Sequence, residues 1–89
     1  MTALVKRFGI TVRQLRMGHG WTQDELAWRS GLDRSYVGEV ERGGAVPSIV
    51  TVEKLAAALQ LEMTVLLAHC ERVKEQRAAQ LDRLSAIAR

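Results

Sequence analysis

Eighty-nine residues, 47% apolar and 26% charged, provide for one small globular domain and exclude both a disordered composition and a multidomain chain. No apolar run approaches the roughly 18 residues of a membrane span, and MTALVKRFG at the N-terminus lacks an apolar signal region and cleavage site, so a soluble cytoplasmic protein is expected. The net charge of +3 leans toward anionic partners, while a chain this short leaves enough apolar surface to favour a partner subunit.

Proline occurs only at Pro47, and apolar positions recur at three and four, which predicts an all-α chain. The first helix runs from about Leu4 to Met17 with Phe8, Val12, Leu15 and Arg16 on one face, and Gly18-His19-Gly20 ends it. TQDE at Thr22 is a capping box that opens a second helix to about Arg29, with Leu26 and Ala27 inward. Trp21 fills the core, whereas Trp28 either points outward or covers helix one or a partner. Asp33 caps a third helix from Arg34 to Glu41, with Val37 and Val40 inward, and Gly43-Gly44 stops it. Pro47-Ser48 opens a fourth, Ile49 to Leu59, with Val52, Leu55, Ala56 and Leu59 facing in. The fifth starts near Met63 and continues toward the C-terminus, because Leu81, Leu84 and Ile87 return after the polar stretch KEQRAAQ at 74–80. The lone cysteine, Cys70, is a small buried residue of this helix. It permits no intramolecular disulfide, and no metal site or cofactor is expected.

Helices two and three are too short to be stable alone. Joined across Gly31 with Leu32 at the corner, they form a helix-turn-helix signature. The helical period places Arg34, Ser35, Gly38, Glu39 and Arg42 on the outer face of helix three. There Arg34 suits bidentate donation to guanine, Ser35 suits either kind of base edge, and Gly38 allows close approach to DNA. Glu39 either accepts from cytosine or orients Arg34 or Arg42. Gln23, Arg42 and Ser48, near helix ends, suit phosphate contacts. Arg16 and Glu41 sit at the edges of two apolar stripes and are expected to form a partly buried ion pair between helices one and three. His19 and His69 lack an acid or nucleophile constellation, which argues against an enzyme.

With LR at 15–16, WTQDELA, SGLDRSYVGEVERG, VPS and VEKLAAAL, residues 8–67 resemble the Xre/Cro-like helix-turn-helix family, and within it the restriction-modification controller proteins. The resemblance implies a compact five-helix lambda-repressor-like DNA-binding domain, here residues 1–67, with residues 68–89 as an extended C-terminal helix that serves dimerisation. It implies a sequence-specific transcription regulator that binds double-stranded DNA as a homodimer on paired half-sites. It places bases against Arg34, Ser35, Gly38 and Glu39, phosphates against Gln23, Arg42 and Ser48, and the ion pair at Arg16 and Glu41. The dimer interface is expected at Leu61, Met63, Leu66, Leu67, Cys70 and Val73. RNA polymerase is a further candidate partner. The rival reading is an antitoxin-type interaction module whose C-terminal helix holds a toxin. The chain departs from the family at Trp28, where a polar residue is usual, at Gly38, where a small hydroxyl is common, and by continuing through residues 68–89.

Overall fold

The computed structural model describes residues 2–88, apart from the side chains of residues 75–79 and 88. Five α-helices follow one another: α1 (Ala3–Gly18), α2 (Gln23–Ser30), α3 (Arg34–Arg42), α4 (Ile49–Ala58) and α5 (Met63–Ala88). Three of them begin at a hydroxyl that accepts a first-turn amide, Thr2 from Val5, Thr22 from Glu25 and Ser48 from Thr51. Helices α2 and α3 end on Gly31 and Gly43, whose φ values of 69° and 74° lie in the left-handed region that glycine enters without steric penalty.

Two expected caps differ from what forms. The Thr22 box is only half made, because the Glu25 carboxylate accepts from Arg29 Nε at 2.8 Å, one turn along the same helix, instead of returning to Thr22. Asp33 occupies the N-cap position of α3 with extended backbone, but its side chain makes no capping hydrogen bond. The first turn of α3 therefore lacks the acceptor predicted for it.

Every helix contributes to one core, built from Phe8, Val12, Leu26, Ala27, Val37, Val40, Leu55, Ala56, Leu59, Leu66 and Cys70. Leu15, Leu32, Val52 and Leu61 pack around it, partly buried. Trp21 packs against the core from its rim, half-buried. Its ring stacks on His19 with centroids 4.1 Å apart, and the Arg29 guanidinium lies 4.3 Å over it. Trp28 points into solvent, 78% exposed.

Helices α1 and α3 cross at Gly9, where an added Cβ would clash with the Val40 carbonyl oxygen and lie 2.6 Å from that of Glu41. Those oxygens belong to the α3 backbone and cannot rotate away. The absent side chain at position 9 is thus what lets the two helices approach so closely.

Helix α5 is continuous from Met63, as its apolar pattern predicts, and the expected domain boundary after residue 67 falls inside it. Leu66, Cys70 and Val73, expected at a dimer interface, instead seat α5 on its own protomer and are nearly inaccessible. The reason is that this face of α5 packs on the shared core and against α1, to which Arg7 and Glu71 add a 3.8 Å ion pair. Leu61 and Met63 are half-buried, and of the six only Leu67 is exposed.

Replacing Gly9 by Ala is expected to destabilise the fold by about 1–3 kcal/mol despite the higher helix propensity of Ala, because the new methyl group meets backbone. Urea denaturation of the Gly9→Ala protein, read against the native midpoint, measures this.

Candidate nucleic-acid interface

The helix-turn-helix unit is held from behind by a buried ion pair. Arg16 of α1 donates to both carboxylate oxygens of Glu41 on α3, through Nε at 2.8 Å and Nη2 at 3.0 Å. Its third nitrogen, Nη1, donates to the Trp21 carbonyl oxygen at 2.8 Å, and Gln23 Nε2 donates to Glu41 Oε1 at 3.0 Å. The hydrogen bond to Glu41 raises the Arg16 pKa above its ordinary value against the opposing effect of burial. The Glu41 side chain is 3% exposed, so removing Arg16 would strand a buried carboxylate at a cost of roughly 3–5 kcal/mol. This network fixes the end of α1, the turn after it, the start of α2 and the last turn of α3 relative to one another. A further tie, Tyr36 Oη to Thr51 Oγ1 at 3.2 Å, joins α3 to α4.

On the opposite side of α3, Arg34, Ser35, Glu39 and Arg42 are exposed, as the helical period requires. Arg34 is not free in solution: its Nε lies 3.2 Å from Asp24 Oδ1 on α2. Glu39 accepts from Arg42 Nη2, so of its two expected roles the structure contains the orientation of Arg42.

Gly38 departs from expectation. It is buried, not an open gap on the outer face. The position its Cβ would take lies 3.2 and 3.6 Å from the two terminal nitrogens of Arg42 and 3.6 Å from Gln23 Oε1. Gly38 is therefore a seat for the Arg42 guanidinium, which folds back over the helix and is held there by Glu39. The polar ends of two longer side chains, Arg42 and Gln23, cover the site where close backbone approach was expected.

Two of the phosphate candidates carry structural duties as well. Gln23 has engaged Glu41 with its amide nitrogen, which leaves one further N–H to donate. Ser48 uses its oxygen to cap α4, accepting from the Thr51 amide at 3.1 Å, and directs its single proton to Thr51 Oγ1 at 3.2 Å. Only Arg42 presents donors without such a duty to the fold. Asp24 escaped the sequence reading altogether, since nothing in the local period of α2 signals that it meets a residue ten positions later. Among the described residues there is no cluster of side chains that could hold a metal ion, and no helix is long and apolar enough to cross a membrane.

The geometry at Gly38 sets an outcome opposite in sign to that at Gly9. A methyl group there meets most closely the flexible end of an exposed Arg, with Gln23 Oε1 at ordinary contact distance, so Gly38→Ala is expected to raise stability by up to about 1 kcal/mol while displacing the Arg42 guanidinium from its seat. Thermal unfolding reads the first effect, and a double-mutant cycle with Arg42→Ala in DNA binding reads the second.

The helix-turn-helix family profile matches residues 12–66. Among solved structures, the restriction-modification controller protein C.AhdI from Aeromonas hydrophila is 49% identical, with a TM-score of 0.71 over 73% of this chain and 98% of that one. The controller protein C.Esp1396I, solved as a tetramer in complex with its natural 35 base-pair operator, superposes with a TM-score of 0.78 at 25% identity, over 82% of this chain and 96% of that one. The clp gene regulator ClgR from Corynebacterium glutamicum matches over 97% of this chain and 92% of its own, with a TM-score of 0.85 at 27% identity. The chain spans only 38% to 49% of the length of three longer curated relatives, described as a hypothetical transcription factor, a transcriptional regulator and an immunity repressor. Two short helices set across a glycine turn, clamped to α1 by Arg16 and Glu41 and matched by the profile along most of the chain, show that it belongs to the Xre/Cro-like helix-turn-helix family.

Proposed function

We propose that the protein is a sequence-specific transcription regulator that binds double-stranded DNA as a homodimer on paired half-sites, in the manner of a restriction-modification controller. The observation that carries this reading is the exposed N-terminal end of α3, where Arg34 and Ser35 project from a helix whose other face is immobilised by Val37, Val40 and Glu41. A rigid helix with polar side chains at its leading end is what major-groove readout requires. The likeness to a controller tetramer solved on its operator supports the same reading. Arg34 and Ser35 take the base-facing role. Arg42, the remaining N–H of Gln23 and the start of α4 at Ser48 lie on the flanks, where phosphate contacts set register and affinity without carrying sequence information.

Two half-sites require two recognition helices about 34 Å apart, and hence a second copy of the chain. Exposed Ile49 and Val50, with Glu53 and half-buried Met63, line a shallow depression where α4 and α5 begin. An apolar surface lies farther along α5. At 100° per residue, Leu81, Leu84 and Ile87 fall about the same line as Leu66, Cys70 and Val73, so the stripe that seats α5 on the core continues beyond it. These three residues are 65%, 56% and 81% exposed. We assign them to contact with the second protomer, which moves the expected interface from the buried Leu66, Cys70 and Val73 to the exposed continuation of their stripe.

Replacing Leu81, Leu84 and Ile87 together by Asp should leave the core intact, since all three are exposed. Sedimentation equilibrium should then shift from dimer toward monomer, and an unchanged dimer would remove residues 81–87 from the interface. For the DNA reading, Arg34→Ala is expected to relax base preference at one position per half-site at a cost of roughly 1–3 kcal/mol. Arg42→Ala should weaken all sequences alike and lower the salt slope by about one. Binding titrations against duplexes selected from a random library, at several salt concentrations, distinguish the two. If both variants fold and neither changes affinity, α3 is not the recognition helix.

A further inference from the structure

We propose that Asp24 is a specificity-determining residue, which positions Arg34 for base readout and penalises DNA that does not engage Arg34. The inference rests on the DNA-binding reading above. Asp24 lies in the first turn of α2 and Arg34 is the first residue of α3, so their ion pair spans the helix-turn-helix from one helix to the other. The other two exposed pairs of the motif, Arg29 with Glu25 and Arg42 with Glu39, join residues of one helix at the spacings that any helix supports.

The Asp24–Arg34 pair contributes little to stability. Both side chains are mostly exposed, at 74% and 64%, where solvent screens an ion pair almost completely. Its effect lies in geometry. The closest approach of the carboxylate is to Nε, at 3.2 Å, and among the described residues no hydrogen bond engages the two terminal nitrogens of the guanidinium. Those two nitrogens form a planar fork that matches the O6 and N7 acceptors of guanine. Held at Nε, the Arg34 side chain surrenders part of its rotamer freedom before DNA arrives, and the fork is aimed by a group anchored on the neighbouring helix.

Charge works in the same direction. A carboxylate beside the recognition helix repels phosphate oxygens whatever the sequence. At a matching base, Arg34 donates to DNA with its fork while its Nε side stays paired with the Asp24 carboxylate. At a mismatched base the fork finds no pair of acceptors, and the repulsion of Asp24 remains without that compensation. Asp24 thereby lowers affinity for non-cognate DNA more than for cognate DNA.

The test compares Kd for two probes: a duplex recovered from a random library by the wild-type protein, and a duplex of equal length and composition in scrambled order. Asp24→Ala is expected to lower the ratio of the two constants about fivefold or more, the lower end of what one bidentate base contact supplies. Asp24→Asn keeps an oxygen beside Nε without the charge, so it should tighten binding to the scrambled duplex while preserving most of the ratio that Ala loses. In an Arg34→Ala background, Asp24→Ala should leave the ratio unchanged. Asp24→Ser, which retains a residue favourable at a helix start but does not reach Arg34, should behave like Ala and covers the event that Asp24→Ala destabilises α2. If Ala, Ser and Asn all tighten both duplexes by the same factor, Asp24 acts only as a distant charge and the inference is overturned. If the wild-type protein selects no sequence at all, the DNA-binding reading itself fails. Selective wild-type binding that depends on Arg34 but not on Asp24 overturns the present inference alone.

Discussion

The contact between α1 and α3 is the constraint on which the functional surface depends, and the bidentate ion pair of Arg16 with Glu41 is its polar half. An arginine fork and a carboxylate both lose hydration on burial, and this pair recovers the loss because almost every polar atom has a partner. Arg16 also donates to the Trp21 carbonyl, and Glu41 also accepts from Gln23. The apolar half is Gly9, whose missing side chain lets the α3 backbone lie against α1. The two features act together. Close approach at Gly9 shortens the distance that Arg16 must span, and the ion pair sets the rotation of α3 about its own axis. That rotation decides which residues of α3 are core and which are presented.

From this anchor the surface is organised in successive layers of side chains. Gln23 leans on Glu41 with its amide nitrogen and turns its oxygen toward Gly38. Arg42 folds over Gly38 and is held by Glu39, while Arg34 is held across the motif by Asp24. Both arginines of the presented face thus rest against carboxylates in the free protein. Exposed pairs of this kind are weak, so they guide side chains without locking them, which suits residues that must exchange one partner for another when a ligand arrives.

Helix α5 has two parts with one pattern. Its first turns complete the core through Leu66, Cys70 and Val73, and its later turns carry the same apolar stripe into solvent at Leu81, Leu84 and Ile87. One helix face is thus satisfied within the protomer over its near part and exposed over its far part.

Much was determined locally by the sequence. Periodicity three and four, glycine stops at Gly31 and Gly43 and hydroxyl starts at Thr22 and Ser48 defined the helices to within a residue or two, because each signal acts over a single turn. The Arg16–Glu41 pair was legible too, since two opposite charges at the edges of apolar stripes have few other places to go. Tertiary structure decided what depends on distances between helices. Gly9 as a crossing point, Gly38 as a seat for Arg42, the Asp24–Arg34 pair and the division of α5 between core and solvent each involve atoms brought together from separate elements. A helical period states which residues share a face; it contains no information on how far that face lies from its neighbour, and at 2 to 4 Å that distance determines what each side chain touches.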